Sequence, residues 1–231
     1  MVARAAKPVA NRRPGRPPGR TSDGTRSKIL NAARVCFASK GFDLATNRDI
    51  AELAGITPAA IYQYFDSKAV LYAAAAREAI AEVAKHMRDY AEAKADAGVG
   101  AGLSHITQGL LSVHLQDPSL SPFLIAMPTE LQRHPNIARE LQPNLDEVPS
   151  GVMTLVQRGV QAGEIDRVEA GRIVRMYIAC LMGLTQFAVI FGPDEGASAT
   201  KAFSDLLEGG LLPRTKTKHA KKRVKRTPSR P

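Results

Sequence analysis

Between Thr46 and Lys68 the chain reads TNRDIAELAGITPAAIYQYFDSK, and few folds accommodate that order of residues. Thr46 is a good N-cap, with Asp49 three positions on as an acidic form of the capping box. Ile50, Leu53 and Ala54 fall on one helical face and form its buried side. Gly55 permits a sharp turn because it has no side chain to clash there. Thr57 caps a further helix, and Pro58 takes its first position, where the missing N–H costs nothing. Ile61 and Phe65 point inward at i and i+4. The spacing predicts two short helices joined by a tight turn, the helix-turn-helix that sets its second helix in the DNA major groove.

A groove-reading helix needs small or polar residues facing out. Thr57, Pro58, Ala59, Ala60 and Gln63 meet that need. Gln63 can bond bidentately to adenine, whereas alanine and proline offer apolar contact, for example to a thymine methyl. Tyr62, Tyr64 and Lys68 sit where the chain leaves the groove, with phosphate oxygens as their targets. Thr46, Asn47 and Arg48 can bind the DNA backbone through the hydroxyl and free helix N–H groups. Glycine-containing helical turns are common, so three core-packing helices without DNA remain an alternative on spacing alone.

The rest of the 231 residues also reads as helix, rich in alanine and leucine, with no strand pattern of any length. The first helix spans Arg26–Lys40, capped by Asp23 or Thr25 and ended by Gly41. A long helix capped by Asp66 runs to about Lys94, and its start, AAAA at 73–76, permits close helix approach. Further helices are predicted at Leu103–Leu115, Gly151–Ala162, Glu169–Phe191 and Ala197–Leu207, with 117–122 as a loop and GPDEG as a break. Between them, Pro128, Pro135, Pro143 and Pro149 divide the middle into short helices. The charge of +10 sits in the ends: residues 1–28 carry a net +7 and 214–231 a net +9, so the body is mildly acidic. Residues 1–24 and 211–231 have too little to bury and read as disordered basic extensions.

Residues 25–71 closely resemble the DNA-binding domain of the tetracycline-repressor (TetR) family. The resemblance lies in TRSKILNAARVCFASKG followed by the run from Thr46 to Lys68, without gaps, over about 47 of the 231 residues. Members are usually all-helical homodimers that repress genes, and a small molecule in the C-terminal domain releases the DNA. The resemblance implies an all-α fold in which an N-terminal three-helix DNA-binding domain (25–68) precedes a larger helical ligand-binding and dimerisation domain (69–210). It makes Pro58–Tyr64 the recognition helix, with Tyr64 and Lys68 at phosphate-contacting positions and Thr46 as the cap near the backbone. Pro58–Ala59–Ala60 depart from the polar or glycine residues many members carry there, so base readout relies less on hydrogen bonds.

The stretch 155–191 is similar to the family's dimer-forming region, in which helix pairs build a four-helix bundle across a two-fold axis. Leu155, Arg158, Leu181, Leu184, Phe187, Ala188 and Phe191 are the candidate dimer residues, and a helix apolar nearly all round needs partners on most sides. A two-fold dimer predicts a palindromic operator on double-stranded DNA. Candidate walls for a small, hydrophobic effector are Met87, Tyr90, Ile106, Leu110, Phe123, Met127, Leu131, Met176 and Tyr177. In the N-terminal extension, Arg12, Arg13, Arg16 and Arg20 loosely resemble a minor-groove arm. The histidines are scattered, so no metal or cofactor is predicted. The longest apolar run, Met176–Ile190, is 15 residues, short of a bilayer span. Two cysteines in apolar patterns and the lack of an apolar leader suit a cytoplasmic, nucleoid-associated protein with no membrane partner. No phosphate loop or nucleophile elbow supports an enzyme. A nucleoid-type architectural DNA binder using the basic tails is the alternative to a regulator.

Overall fold

The computed structural model describes residues 22–141 and 150–209, and among them ten α-helices and one 3-10 turn. The helices are α1 (Ser22–Leu44), α2 (Asn47–Ala54), α3 (Pro58–Ile61), α4 (Lys68–Ala93), α5 (Val99–Gln116), α6 (Leu120–Arg133), α7 (Pro135–Leu141), α8 (Ser150–Gln161), α9 (Ala170–Phe191) and α10 (Pro193–Leu207). The predicted arm residues Arg12, Arg13, Arg16 and Arg20 and the C-terminal basic run lie outside the described residues, as do Pro143 and Pro149.

Local chemistry accounts for most boundaries. Gly41, at φ 72°, kinks α1 and leaves one further helical turn where the sequence suggested a loop. The helix also starts before Asp23 and Thr25, which lie inside it and do not cap it. Ser67 caps α4, one residue later than Asp66, because its hydroxyl accepts from the amide of Val70. Helix α5 absorbs the glycines after Gly98, and α6 starts at Leu120, shortening the predicted loop. GPDEG opens α10 instead of separating helices: Gly192 breaks the chain at φ 95° and Pro193 takes the first helical position.

Helix α4 runs through the middle and touches α1, α5, α6, α7 and α8. The close approach predicted for its alanines is present, with Ala73, Ala74, Ala75 and Ala76 all buried. Gly151 brings α8 onto the α4 backbone, where a Cβ would stand 2.9 Å from the amide nitrogen of Arg88. One apolar cluster joins the three N-terminal helices to the near end of the body: Phe37 and Phe42 of α1 pack with Tyr72 of α4 and Phe123 of α6, at ring separations of 4.9–6.4 Å. A second cluster fills the far end, from Met87, Leu103, Ile106, Leu155, Val174 and Tyr177. There the Tyr177 hydroxyl donates to the Leu103 carbonyl (2.7 Å) and pairs with the Thr107 hydroxyl (2.8 Å), and burial pushes its pKa up.

Helix α9 is longer than the apolar run that marks it in sequence. At 22 residues it is long and apolar enough, by length and composition, to cross a bilayer, yet only 22% of its most apolar window is buried by its own chain. Ala179, Gly183, Gln186 and Ile190 form an outward stripe along it, flanked by exposed Met176, Met182 and Val189.

Candidate DNA interface and effector cavity

The capping box at the start of α2 is complete. The Asp49 amide donates to the Thr46 hydroxyl (3.1 Å), and the Asp49 carboxylate accepts from the Thr46 amide (3.0 Å) and hydroxyl (2.8 Å). Lys40 at the end of α1 adds an ion pair at 3.0 Å. The bonds from Lys40 and then Thr46 hold the Asp49 carboxyl down at about 2. A carboxylate with a lowered folded pKa stabilises fully above its ordinary range, so this contribution persists through neutral pH and fades as pH falls toward about 2. Thr46→Ala should lower stability by about 1 kcal/mol in urea unfolding, the usual cost of a lost N-cap.

Gly55, at φ 65°, makes the turn, and its amide closes onto the carbonyls of Ala51 and Glu52. Thr57 caps α3 through the amide of Ala60, behind Pro58. Ile50, Ile61 and Phe65 are buried as predicted, but Leu53 is 59% exposed and Ala51 takes its place inside. Burial of these anchors turns the other face outward: Thr57, Pro58, Ala59, Tyr62 and Gln63 are exposed, and Ala60 and Tyr64 are half-buried. Thr46, Asn47, Tyr62 and Lys68 are brought together around a shallow depression of about 460 Å³, where the starts of α2 and α4 converge beside Asp43 and Asp66. Arg48 is exposed on α2.

Lys68, expected at a phosphate-contacting position, is engaged within the protein. Its ammonium donates to the carbonyls of Phe42 (2.7 Å), Asp43 (3.2 Å) and Ala45 (3.1 Å), and it stands 4.5 Å over the Phe42 ring. An ammonium has three donors, so none is left for a phosphate while these bonds hold. Lys68 thereby ties the end of α1 to the start of α4.

In the body, α4, α5, α6 and α9 enclose a cavity of about 680 Å³ at the place where the two apolar clusters fail to merge. Of the predicted walls, Met87, Leu110 and Met127 line it. Phe123 belongs instead to the aromatic cluster against α1, and Ile106 and Tyr177 are core of the far cluster. Tyr90 and Leu131 pack against the clusters, and Met176 faces outward, 57% exposed. The lining adds polar groups that sequence reasoning missed: His114, Ser121, Thr185 and Gln186. Their signal was hidden because residues 117–122 read as a loop, while Ser121 lies in the first turn of α6.

The candidate dimer residues divide in the same way. Leu155, Leu181 and Ala188 are buried inside the protomer, and Arg158 pairs with Glu92 of α4 at 2.6 Å. Leu184 and Phe187 are half-exposed and Phe191 is 60% exposed, its ring 4.5 Å from that of Phe187. A further link between the N-terminal helices and the body went unread. Arg34 of α1, only 8% exposed, donates to Glu82 of α4 (3.0 Å), to Asn31 (3.1 Å) and to Asp117 at the α5–α6 corner. Its sequence signal is its phase: Arg34 lies four residues after buried Leu30 and three before buried Phe37.

Residues 29–75 match the sequence profile of bacterial regulatory proteins of the tetR family. The chain is similar to the uncharacterized HTH-type transcriptional regulator YfiR of Bacillus subtilis, 25% identical over 75% of this chain and 84% of that one. It is also similar to the HTH-type transcriptional repressor AcnR of Corynebacterium efficiens, 24% identical over 68% of this chain and 78% of that one. Among solved structures, the fold matches the transcriptional regulator FadR from Bacillus subtilis in complex with stearoyl-CoA, with a TM-score of 0.66 and 19% identity, covering 80% of this chain and 99% of that one.

Proposed function

We propose, from the premise that the chain belongs to the tetR family of bacterial regulatory proteins, that it represses transcription from a palindromic operator as a homodimer and is released by a small apolar effector. The observation that carries this reading is the division of α2 and α3 into two faces. Ile50, Ile61 and Phe65 anchor the pair, while Thr57, Pro58, Ala59, Tyr62 and Gln63 stand free to meet a groove. With Lys68 and both donors of Thr46 engaged, Arg48, Tyr62 and the amides of Asn47 and Arg48 at the start of α2 carry the phosphate contacts. Two copies joined through the outward face of α9 place two such faces on one side of a duplex, one turn apart. The protein acts on the chromosome in the cytoplasm, and the Arg-rich arm adds minor-groove contact through Arg12, Arg13, Arg16 and Arg20. The effector occupies the cavity beside α4, whose apolar lining suits a hydrocarbon chain such as the acyl group bound by FadR.

Genomic fragments captured by the purified protein should share an inverted repeat, bound about 10³-fold or more tightly than unrelated duplex at the same salt. Near-equal affinity for all fragments would favour the architectural reading and overturn this one. Gln63→Ala should cost about 1–3 kcal/mol at the base it reads and leave other positions unchanged, measured by binding to singly substituted operators.

A further inference from the structure

The cavity between α4, α5, α6 and α9 is not closed by its own chain. The exposed residues in its lining belong to two neighbouring helices: Pro128 of α6, and Met182, Gly183 and Gln186 of α9. The walls from α4 and α5 are buried or half-buried, among them Ile80, Met87 and Val113. The cavity therefore opens to water between α6 and α9. Its three rim residues on α9 belong to the surface already described on that helix. Gly183 and Gln186 stand in the outward stripe with Ala179 and Ile190, and Met182 flanks it. Nothing inside the protomer requires a glycine at this rim, since a Cβ at Gly183 would meet no atom within 4 Å. A hydrocarbon ligand seated here would leave part of its surface against water at the mouth, whereas small-molecule sites bury about 70–90% of a ligand's surface.

Building on the homodimer and effector readings above, we infer that the effector site is incomplete in one protomer and that α9 of a second copy closes its mouth. A copy laid along the outward stripe covers Gly183 and Gln186 and, beside them, Met182, so one contact serves both the dimer and the cavity. The occupant is another copy of this chain because α9 is apolar nearly all round, yet only 22% of its most apolar window is buried by its own protomer. Self-pairing about a two-fold axis gives each protomer the cover it lacks with one surface. Ligand binding and association are then linked, and the linkage is reciprocal. Whatever factor the second copy adds to ligand affinity, the ligand adds to the affinity of the copies for each other. A ten-fold factor is about 1.4 kcal/mol, which the removal of about 55 Å² of apolar surface from water supplies.

The test adds the neutral apolar fluorophore N-phenyl-1-naphthylamine to the full-length protein and to Ala179→Arg and Ile190→Asp, whose positions lie on the stripe but outside the cavity lining. Met127→Trp, made in each background, fills the cavity from the α6 wall, and the fluorescence it removes is the cavity's share. Leu124→Trp fills the same wall and replaces it if Met127→Trp loses helicity. The wild-type dimer should bind the probe at least about 10-fold more tightly than either monomeric variant. At dilutions where the wild-type dimer partly dissociates, saturating probe should shift sedimentation toward the dimer, and Met127→Trp should abolish that shift. Equal cavity affinity in dimer and monomer, or sedimentation that the probe leaves unchanged or moves toward the monomer, overturns the closure while the effector reading stands. Dimers that persist in both stripe variants place the contact elsewhere and overturn the closure too. Absence of any cavity share in the wild-type protein overturns the effector reading itself, and the closure with it.

Discussion

Ala179→Arg and Ile190→Asp are each expected to convert the protein from twice the 24.8 kDa chain mass to once that mass in sedimentation, and to weaken palindrome binding by about 100-fold or more. The two positions lie on the same outward stripe of α9, eleven residues apart and so within about 20° around a helix of 3.6 residues per turn. Neither contributes to the buried core, so the folded monomer should keep its helicity. A second copy of α9 would seal the stripe, and a charge placed there loses its water without gaining a partner. Small residues at Ala179 and Gly183 let two such helices approach closely, and exposed Met176, Met182 and Val189 supply the flanking apolar surface. Once the copies separate, each DNA-binding face must find its half-site alone, and the effective concentration supplied by the other half is lost. Dimers that persist in both variants would show that the contact lies elsewhere, with the half-exposed Phe187 and exposed Phe191 as the next surface to test.

The helix-turn-helix was legible in sequence because its signals are local. Thr46, Asp49, Gly55, Thr57 and Pro58 each act within four residues, and the structure gives each the role its chemistry implies. Errors arise where a role depends on a distant partner. Leu53 is exposed and Ala51 buried, a phase set by tertiary packing that periodicity in eight residues cannot fix. Lys68 sits at a position that suits a phosphate, yet carbonyls 23–26 residues earlier in the chain occupy all its donors. In α9 the sequence is apolar nearly all round, so it announces a need for cover without saying which face its own chain supplies. Leu181 and Ala188 turn inward, and Ala179 and Ile190 turn out. The cavity was hardest to read, because its lining comes from four helices and depends on the phase of α6, whose start the prolines and the apparent loop obscured.

Arg34→Met should lower global stability by about 2–3 kcal/mol, somewhat below the cost of breaking a fully buried pair because its carboxylate partners keep some water. For a chain of this size that is a fall of about 5–10 °C in Tm. The guanidinium is nearly buried and bonds three elements at once: its own helix through Asn31, α4 through Glu82, and the α5–α6 corner through Asp117. Removing it leaves two carboxylates, Glu82 and Asp117, without the cation they share. Asp117 also shows how the junction responds to acid. Burial raises its carboxyl pKa, but the Ser119 hydroxyl, the Arg34 charge and the amides of Ser119 and Leu120 together outweigh that and hold it below the ordinary carboxylate range. A lowered folded pKa means the contribution is complete at neutral pH and is lost as pH falls through that depressed value. The wild-type protein should therefore lose stability on acidification more steeply than Arg34→Met, in which Arg34 no longer lowers the Asp117 pKa. Asp117→Asn keeps a side-chain oxygen for the Ser119 amide while deleting the charge, so it should cost less than Arg34→Met. The double variant should be less destabilised than the sum of the two, since both act on one network. Additive losses would mean that Arg34 stabilises α1 through packing of its aliphatic stem, and the ionic junction would then carry little of the contact between the DNA-binding helices and the cavity wall.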